Sequence, residues 1–416
     1  MELQATRTIN FSIAEVAKIY SKIFETPRLE MAASQVQWLE IRNKRYALRS
    51  LLENSAYHLC ERSIAKEELT EEKEPHIRAK LAIIAKQIVD CSNSVLVDEY
   101  TALERTKDWL SLERKVVIEN GDIISIDTRT RPGHNILDHF MRHFYDVKNY
   151  KGVSVRSLFT QAPIEKALMQ NIQMHSTPYV SEIRRMIVMT GGLGNVTKYR
   201  TVTSKAIVQY FGAKRVLDPC CGWGGRMLGT LATAGDTMYV GCEPDQNTFK
   251  ALKGILEDSA LPQAVRSRAL VLEKPAEVGL VDIAAMDKFD LVLTSPPYFN
   301  LELYTAGDQS TTSHKTWEEW TEKWLKPVIL GCLSCLKEGG ISCWSVKDFK
   351  SDKKYPLATI TKKIHKDAGW DLVKTVTMTG SGRPGGSRIK GGKEKRESEE
   401  ETFCFKRAAV VPSTSL

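Results

Sequence analysis

The chain has 416 residues, of which 42% are hydrophobic and 26% charged, with 26 glycines and 9 cysteines. This composition excludes collagen, wholesale disorder and a disulfide miniprotein, and the length exceeds one ordinary core, so two or three folded units are expected. The net charge of +8 permits a polyanionic partner without requiring one.

The opening stretch MELQATRTINFSIAEVAK has no basic segment leading into an apolar one. No run of about 18 uncharged apolar residues follows anywhere, so no membrane partner is expected. Nine scattered cysteines suit reduced thiols rather than a disulfide framework, which predicts a cytoplasmic setting in a bacterial or host cell.

Residues 10–116 predict a run of helices, because apolar residues recur every three or four positions in FSIAEVAKIYSKIF, VQWLEIRNKRYALRSLLENSAYHL and IRAKLAIIAKQIV. The mixed-charge stretch IAKEELTEEKEPH reads as an exposed helix end or loop. Next, VVIENGDIISIDTRTRPGHN predicts a short strand pair turning at Asn120-Gly121, and the glycine cluster from Thr190 to Asn195 predicts a hinge. The expected division is therefore a helical accessory domain at 1–125, a connecting region at 126–195 that is a candidate for contacting substrate, and an α/β domain at 196–416.

From Tyr199 onward, short apolar runs alternate with helical patterns: RVLDPC, TMYVGCE, ALVLEK, FDLVLTS, ISCWSV, DLVKTVTM and TFCFKR. Alternation of this kind predicts a parallel-rich sheet with helices on both faces. Lys337-Glu338-Gly339-Gly340 reads as a helix stop, with a strand ending between Trp344 and Asp348.

The first run ends in Asp218-Pro219-Cys220-Cys221-Gly222-Trp223-Gly224-Gly225-Arg226 and opens into a helix. Glycines there let backbone approach a ligand, and the helix start offers unpaired N–H groups. The spacing departs from the dinucleotide fingerprint G-x-G-x-x-G, and Asp218-Pro219 precedes it. About 20 residues on, the second run ends in Glu243-Pro244-Asp245, where an acidic side chain can accept both hydroxyls of a ribose; Glu243 is the first candidate and Asp245 the second. After the third run stands Lys274-Pro275-Ala276, so an adenine amino group would be read by Glu277 or by backbone atoms.

The fourth run stops at Ser295-Pro296-Pro297-Tyr298. Two prolines cannot continue a central ladder, so the backbone leaves the sheet at its C-terminal edge, where open parallel sheets bind ligands. Together, Asp218-Pro219 with the Gly-rich loop and the later Ser-Pro-Pro-Tyr resemble the amino-directed S-adenosylmethionine (SAM) dependent DNA methyltransferases, over about residues 199–407. The chain is also similar to uncharacterised phage-type proteins carrying G-W-G-G-R, S-P-P-Y and a W-x-x-W helix, here Trp317 and Trp320.

The resemblance implies a Rossmann-like methyltransferase sheet, SAM as cofactor and DNA as partner, with RNA as the second choice. It implies cofactor contacts from Asp218, Pro219, Gly222, Gly224 and Glu243 or Asp245, and catalysis by Ser295, Pro296, Pro297 and Tyr298. The exocyclic amine of a base is a poor nucleophile because its lone pair is delocalised. Acceptance of its N–H groups by Ser295 and the Pro296 carbonyl would free that pair, while Tyr298 stacks on an extruded base. Serine at the first position leans to N4 of cytosine ahead of N6 of adenine. An RNA base, a protein glutamine or a non-catalytic binding subunit are the alternatives. No cysteine follows the fourth run, so thiolate-dependent C5 methylation is not expected.

A glycine-rich insert between the last two strands carries Arg383, Arg388, Lys390, Lys393, Lys395 and Arg396, candidates for phosphate contacts. No metal is expected: His134, Asp138, His139 and His143 form a partial ligand set, and Cys332-x-x-Cys335 lacks a second pair. Phe140, Phe144 and Tyr145 read as core.

Overall fold

Each of the seven apolar runs after residue 199 forms a strand of one sheet in the computed structural model. The structure describes residues 99–115, 131–173, 180–193, 197–304, 309–379 and 401–408, backbone segments at 38–41, 44–47 and 125–127, and single positions at 81, 82, 85, 86, 89 and 117. Contacts group the chain into two units, 102–141 with 197–416 and 1–101 with 142–196. This division differs from boundaries at 125 and 195, because an N-terminal stretch joins the sheet unit.

The sheet contains β1 (Ser125–Asp127), β2 (Arg215–Asp218), β3 (Met238–Cys242), β4 (Ala269–Leu272), β5 (Phe289–Thr294), β6 (Leu336–Ser345), β7 (Trp370–Thr379) and β8 (Glu401–Arg407). Their spatial order is β1-β7-β8-β6-β5-β2-β3-β4. Every neighbouring pair is parallel except β8, which runs antiparallel to both β6 and β7. Val216, Leu217 and Asp218 are buried in succession, as are Leu291 to Thr294. Unbroken burial means that both faces are covered, the pattern of a doubly wound α/β sheet.

From β2 the chain runs outward through β3 to β4, then returns to β5 on the other side of β2 and continues to β6. The switch point thus lies between β2 and β5, whose register pairs Val216 with Leu291 and Leu217 with Val292. Ligands of such sheets bind beyond the carboxyl ends at this point. The segment read as a helix stop at 337–340 belongs instead to β6, entered through a register shift between Leu336 and Ile341, with Gly339 at φ 75°.

Polar contacts bind the helices Ala102–Arg114 and His134–Phe140 to each other and to the rest of this unit. Arg105 pairs with Asp258 at 2.6 Å. Asp108 accepts backbone N–H bonds from Gly133, Asn135 and Ile136 at the start of the second helix. The buried Lys205 ammonium donates to the carbonyls of Leu112, Glu113 and Lys115. It thereby satisfies the exposed acceptors at the end of the first helix.

In the other unit, helices Gln161–Gln173 and Val180–Thr190 pack together, with Ile164, Leu168, Ile183 and Met186 buried. A Cβ on Gly191 would sit 2.3 Å from Leu158, so the first part of the expected hinge is a packed turn; Gly194 and Asn195 lie outside the described residues. Trp38–Ile41 pairs antiparallel with Lys44–Ala47, Trp38 opposite Ala47, within a stretch predicted as helix. Short apolar runs satisfy either period, and Trp, Ile and Tyr favour strands. The Asn120-Gly121 turn, the helical reading at 11–24 and the mixed-charge stretch at 64–76 lie outside the described residues.

Candidate active site

Asp218 ends β2 with no exposed surface. Its Oδ2 accepts from Arg226 Nε at 2.7 Å and the Tyr239 hydroxyl at 2.7 Å. Its Oδ1 accepts from Thr294 Oγ1 at 2.8 Å and the Cys220 N–H at 3.2 Å. The sequence reading made Asp218 a direct cofactor contact, whereas four internal donors occupy its oxygens. It is a buried anchor for the loop, and Arg226 neutralises it. Burial opposes the Arg226 charge, but Asp218 together with Tyr239 and Tyr199 outweighs that and raises its pKa. The same guanidinium donates to the Cys220 carbonyl and lies 5.1 Å from the centre of the Tyr199 ring.

The glycines of the loop divide by function. Gly224 caps the helix Gly225–Leu231 in the left-handed region at φ 77°, and a Cβ there would meet Leu252 at 2.8 Å. Packing therefore requires Gly224. Gly222, at φ 52°, has only the Cys220 carbonyl within 4 Å of an added Cβ, at 3.9 Å, so the space above it is open. Pro219 is buried between Asp218 and Cys220 at the bend.

Glu243 follows β3 and is 7% exposed. Its Oε2 accepts the Gly222 N–H at 2.9 Å and its Oε1 accepts the Asp245 N–H at 3.0 Å. Burial pushes its pKa up to about 8, against the pull of those two bonds. A carboxylate has about four acceptor positions, so two remain for a diol. Asp245, the second candidate, caps the helix Gln246–Glu257 through Thr248 N–H and Oγ1, both at 2.8 Å. Of the two acids, Glu243 adjoins the open glycine and Asp245 serves the helix. Glu277 accepts the Trp324 indole N–H at 2.9 Å.

Ser295 follows β5 directly, beside the anchored Thr294; it is half-buried and its side chain makes no hydrogen bond to a described residue. Pro296 is buried and Pro297 half-buried. Tyr298 departs from the expected stacking face: it is 9% exposed, accepts the Lys347 N–H at 3.1 Å and packs edge-on against Phe349. The next residue, Phe299, has φ 36° without being glycine, a costly conformation held by rings of Trp317, Trp320 and Tyr355 at 5.4–5.7 Å. The W-x-x-W pair is part of this aromatic cluster, with Trp317 and Trp320 stacked at 5.5 Å.

Burial and the neighbouring Asp218 push the Cys220 and Cys221 thiols well up, so neither is a thiolate nucleophile. Cys332 and Cys335 are buried packing residues. The helix bearing His139 ends at Phe140, so His143 is not on the same helix. Among the described residues, no group of three or more His, Cys, Asp or Glu side chains could hold a metal. No described helix is long and apolar enough to cross a membrane. The basic insert, Arg383 to Arg396, lies outside the described residues.

Sequence reasoning missed Arg226, Tyr239 and Thr294. Arg226 directly follows the loop motif, and that adjacency was the one available signal.

No protein-family model matches the chain, and no curated protein matches it in sequence. Among solved structures it is similar to an O-methyltransferase described as putative from Klebsiella pneumoniae (12% identity, 53% of this chain and 86% of that one, TM-score 0.33). It is similar to TrmN from Thermus thermophilus (15%, 56% and 69%, TM-score 0.32). A third is an O-methyltransferase from Bacillus cereus in complex with SAH (12%, 59% and 89%, TM-score 0.33). The fold assignment rests on strand order and register.

Proposed function

We propose that the chain is a SAM-dependent methyltransferase acting on an exocyclic amine of a nucleobase in DNA, N4 of cytosine ahead of N6 of adenine. One observation carries this reading: Thr294 bonds Asp218, so Ser295 and the Gly222 loop leave neighbouring parallel strands on either side of the switch point. The open space at Gly222 beside the Glu243 carboxylate suits an adenosine ribose. SAM, when bound, supplies an electrophilic methyl group on sulfonium.

In this reading Glu243 accepts the ribose hydroxyls, and the 222–225 turn admits the cofactor backbone. Ser295 Oγ and the Pro296 carbonyl would accept the N–H bonds of the base amine, localising its lone pair on nitrogen for methylation. The methylated amine would then lose one proton to water. Because Tyr298 is packed and tied to Lys347, it fixes the tetrapeptide's exit from β5. The basic residues from Arg383 to Arg396 would contact DNA phosphates, each neutralised phosphate contributing about −0.9 to the slope of log K against log salt.

The test is tritiated methyl transfer from SAM to DNA, RNA and protein in parallel, with nucleoside mass spectrometry of the product. N4-methylcytosine or N6-methyladenine in DNA, lost in Ser295→Ala, is the expected result. Transfer to RNA or glutamine instead would reassign the substrate, and no transfer with intact SAM binding would indicate a binding subunit.

A further inference from the structure

A cavity of about 530 Å³ opens beyond the tetrapeptide. Its walls begin at Phe299, and none of Ser295, Pro296, Pro297 or Tyr298 lines it. They come from the loop after β5, the stretch 309–318 and the turn at 352–355 after β6. The cavity thus lies on the β5–β6 side of Ser295, while Gly222 and Glu243 lie on the β2–β3 side.

Its chemistry is mixed. Trp317 is half-buried and presents a large aromatic surface beside Tyr355, at 5.0 Å between ring centres. Lys315 and Lys353 line the cavity, are exposed and form no ion pair with a described residue. Glu318 and Asp352 line it too. Asp352 accepts from Asn300 Nδ2 at 2.8 Å and from Tyr355 OH at 2.9 Å. Those bonds, Asn300 first and then Ser351, hold its carboxyl below the usual range, so it remains an acceptor for N–H groups. An indole face, an anionic acceptor, the exposed Lys315 ammonium and the Lys353 ammonium, which lies 5.4 Å from the centre of the Tyr355 ring, together match a heteroaromatic ring with amino groups, joined to a phosphate.

Resting on the function proposed above, we propose that this cavity binds the nucleotide adjoining the target, its base stacked on Trp317 and its phosphate met by Lys315 and Lys353. A ring seated there cannot be the one whose amine meets Ser295, because the tetrapeptide forms no part of the wall. The site therefore grips the substrate strand next to the reacting base, and it contributes to substrate affinity rather than to the chemical step.

The test uses CMP and cytidine as probes, by calorimetry on the full chain, with Trp317→Ala, Trp317→Phe and the double variant Lys315→Gln/Lys353→Gln. Trp317→Ala is expected to weaken CMP about tenfold, within the range for one lost stacking partner. Trp317→Phe should restore most of that affinity, and the lysine double variant should weaken CMP while leaving cytidine unchanged. In methyl transfer, Lys315→Gln/Lys353→Gln should raise KM for DNA with kcat within about twofold of wild type, a split that general damage to the fold would not give. CMP affinity unchanged by Trp317→Ala, or by the lysine pair, overturns the site. Should Trp317→Ala not fold, the exposed lysine pair decides alone. SAM binding and methyl transfer measured on the same preparations separate this failure from failure of the function: an active wild type with an indifferent Trp317 loses only the cavity assignment.

Discussion

Thr294 Oγ1 donates a 2.8 Å hydrogen bond to Asp218 Oδ1, joining the residue before Ser295 to the residue before the Gly-rich loop. Both side chains have no exposed surface, so the bond fixes the ends of β2 and β5 without help from solvent. Together with the strand pairing, it holds the Gly-rich loop and the tetrapeptide in one frame.

Thr294→Val keeps the shape of the side chain and removes the donor. Asp218 retains three other donors, so the expected loss is about 1–2 kcal/mol, read as a lower denaturant midpoint at unchanged slope. Methyl transfer should fall through kcat, with SAM affinity changed less than threefold. Equal kcat in wild type and variant would show that the two motifs hold their positions independently.

Arg226→Met strips the buried Asp218 of its counter-charge. Breaking a buried pair from one side costs about 3–5 kcal/mol. Asp218→Asn combined with Arg226→Met leaves no uncompensated charge and should recover more than half of that loss in chemical denaturation. If the double variant is no more stable than Arg226→Met, charge pairing is not what the contact supplies.

Glu243 gives the site a pH dependence whose sign follows from its raised pKa of about 8. The folded chain holds the proton that an unfolded glutamate loses near pH 4.5, so this group's contribution to stability is full below that value and declines as pH rises through about 8. Ribose hydroxyls need the carboxylate as acceptor. SAM affinity should therefore rise between pH 6 and 8, by at most about tenfold per unit for one proton, and level off above. Calorimetry of Glu243→Gln should give weak binding with a flat profile, and higher stability than wild type at pH 9.

Tyr298 and Ser295 separate packing from chemistry. Tyr298→Ala empties part of the aromatic core, so a loss of about 3–5 kcal/mol in stability is expected rather than a selective loss of base affinity. Tyr298→Phe removes the hydroxyl that accepts the Lys347 N–H and should cost about 1–3 kcal/mol. Ser295→Ala, half-exposed and unbonded, should melt within about 0.5 kcal/mol of wild type while kcat collapses. Thermal melts beside methyl-transfer rates check all three, and a strongly destabilised Ser295→Ala would contradict the site.

Seven of the eight strands of the sheet, the open turn at Gly222, the acidic residue after the strand Met238–Cys242 and the exit at Ser295 are legible in the sequence. Each is a local matter: apolar period, glycine freedom and proline's missing donor act within a few residues. Local pattern also misled where it was ambiguous, as at Trp38–Ile41, which pairs as a strand inside a helical-looking stretch. The tertiary structure alone decided what Asp218 does. Its side-chain donors come from Arg226, Tyr239 and Thr294, at separations of 8, 21 and 76 residues, and no spacing rule links them. The same holds for Tyr298, whose ring packs on Phe349 in a core drawn from residues between 217 and 405, and for Lys205, which caps a helix about 90 residues earlier in the chain. A buried charge or hydroxyl must find partners wherever the fold brings them, because leaving it bare costs more than any local preference can supply.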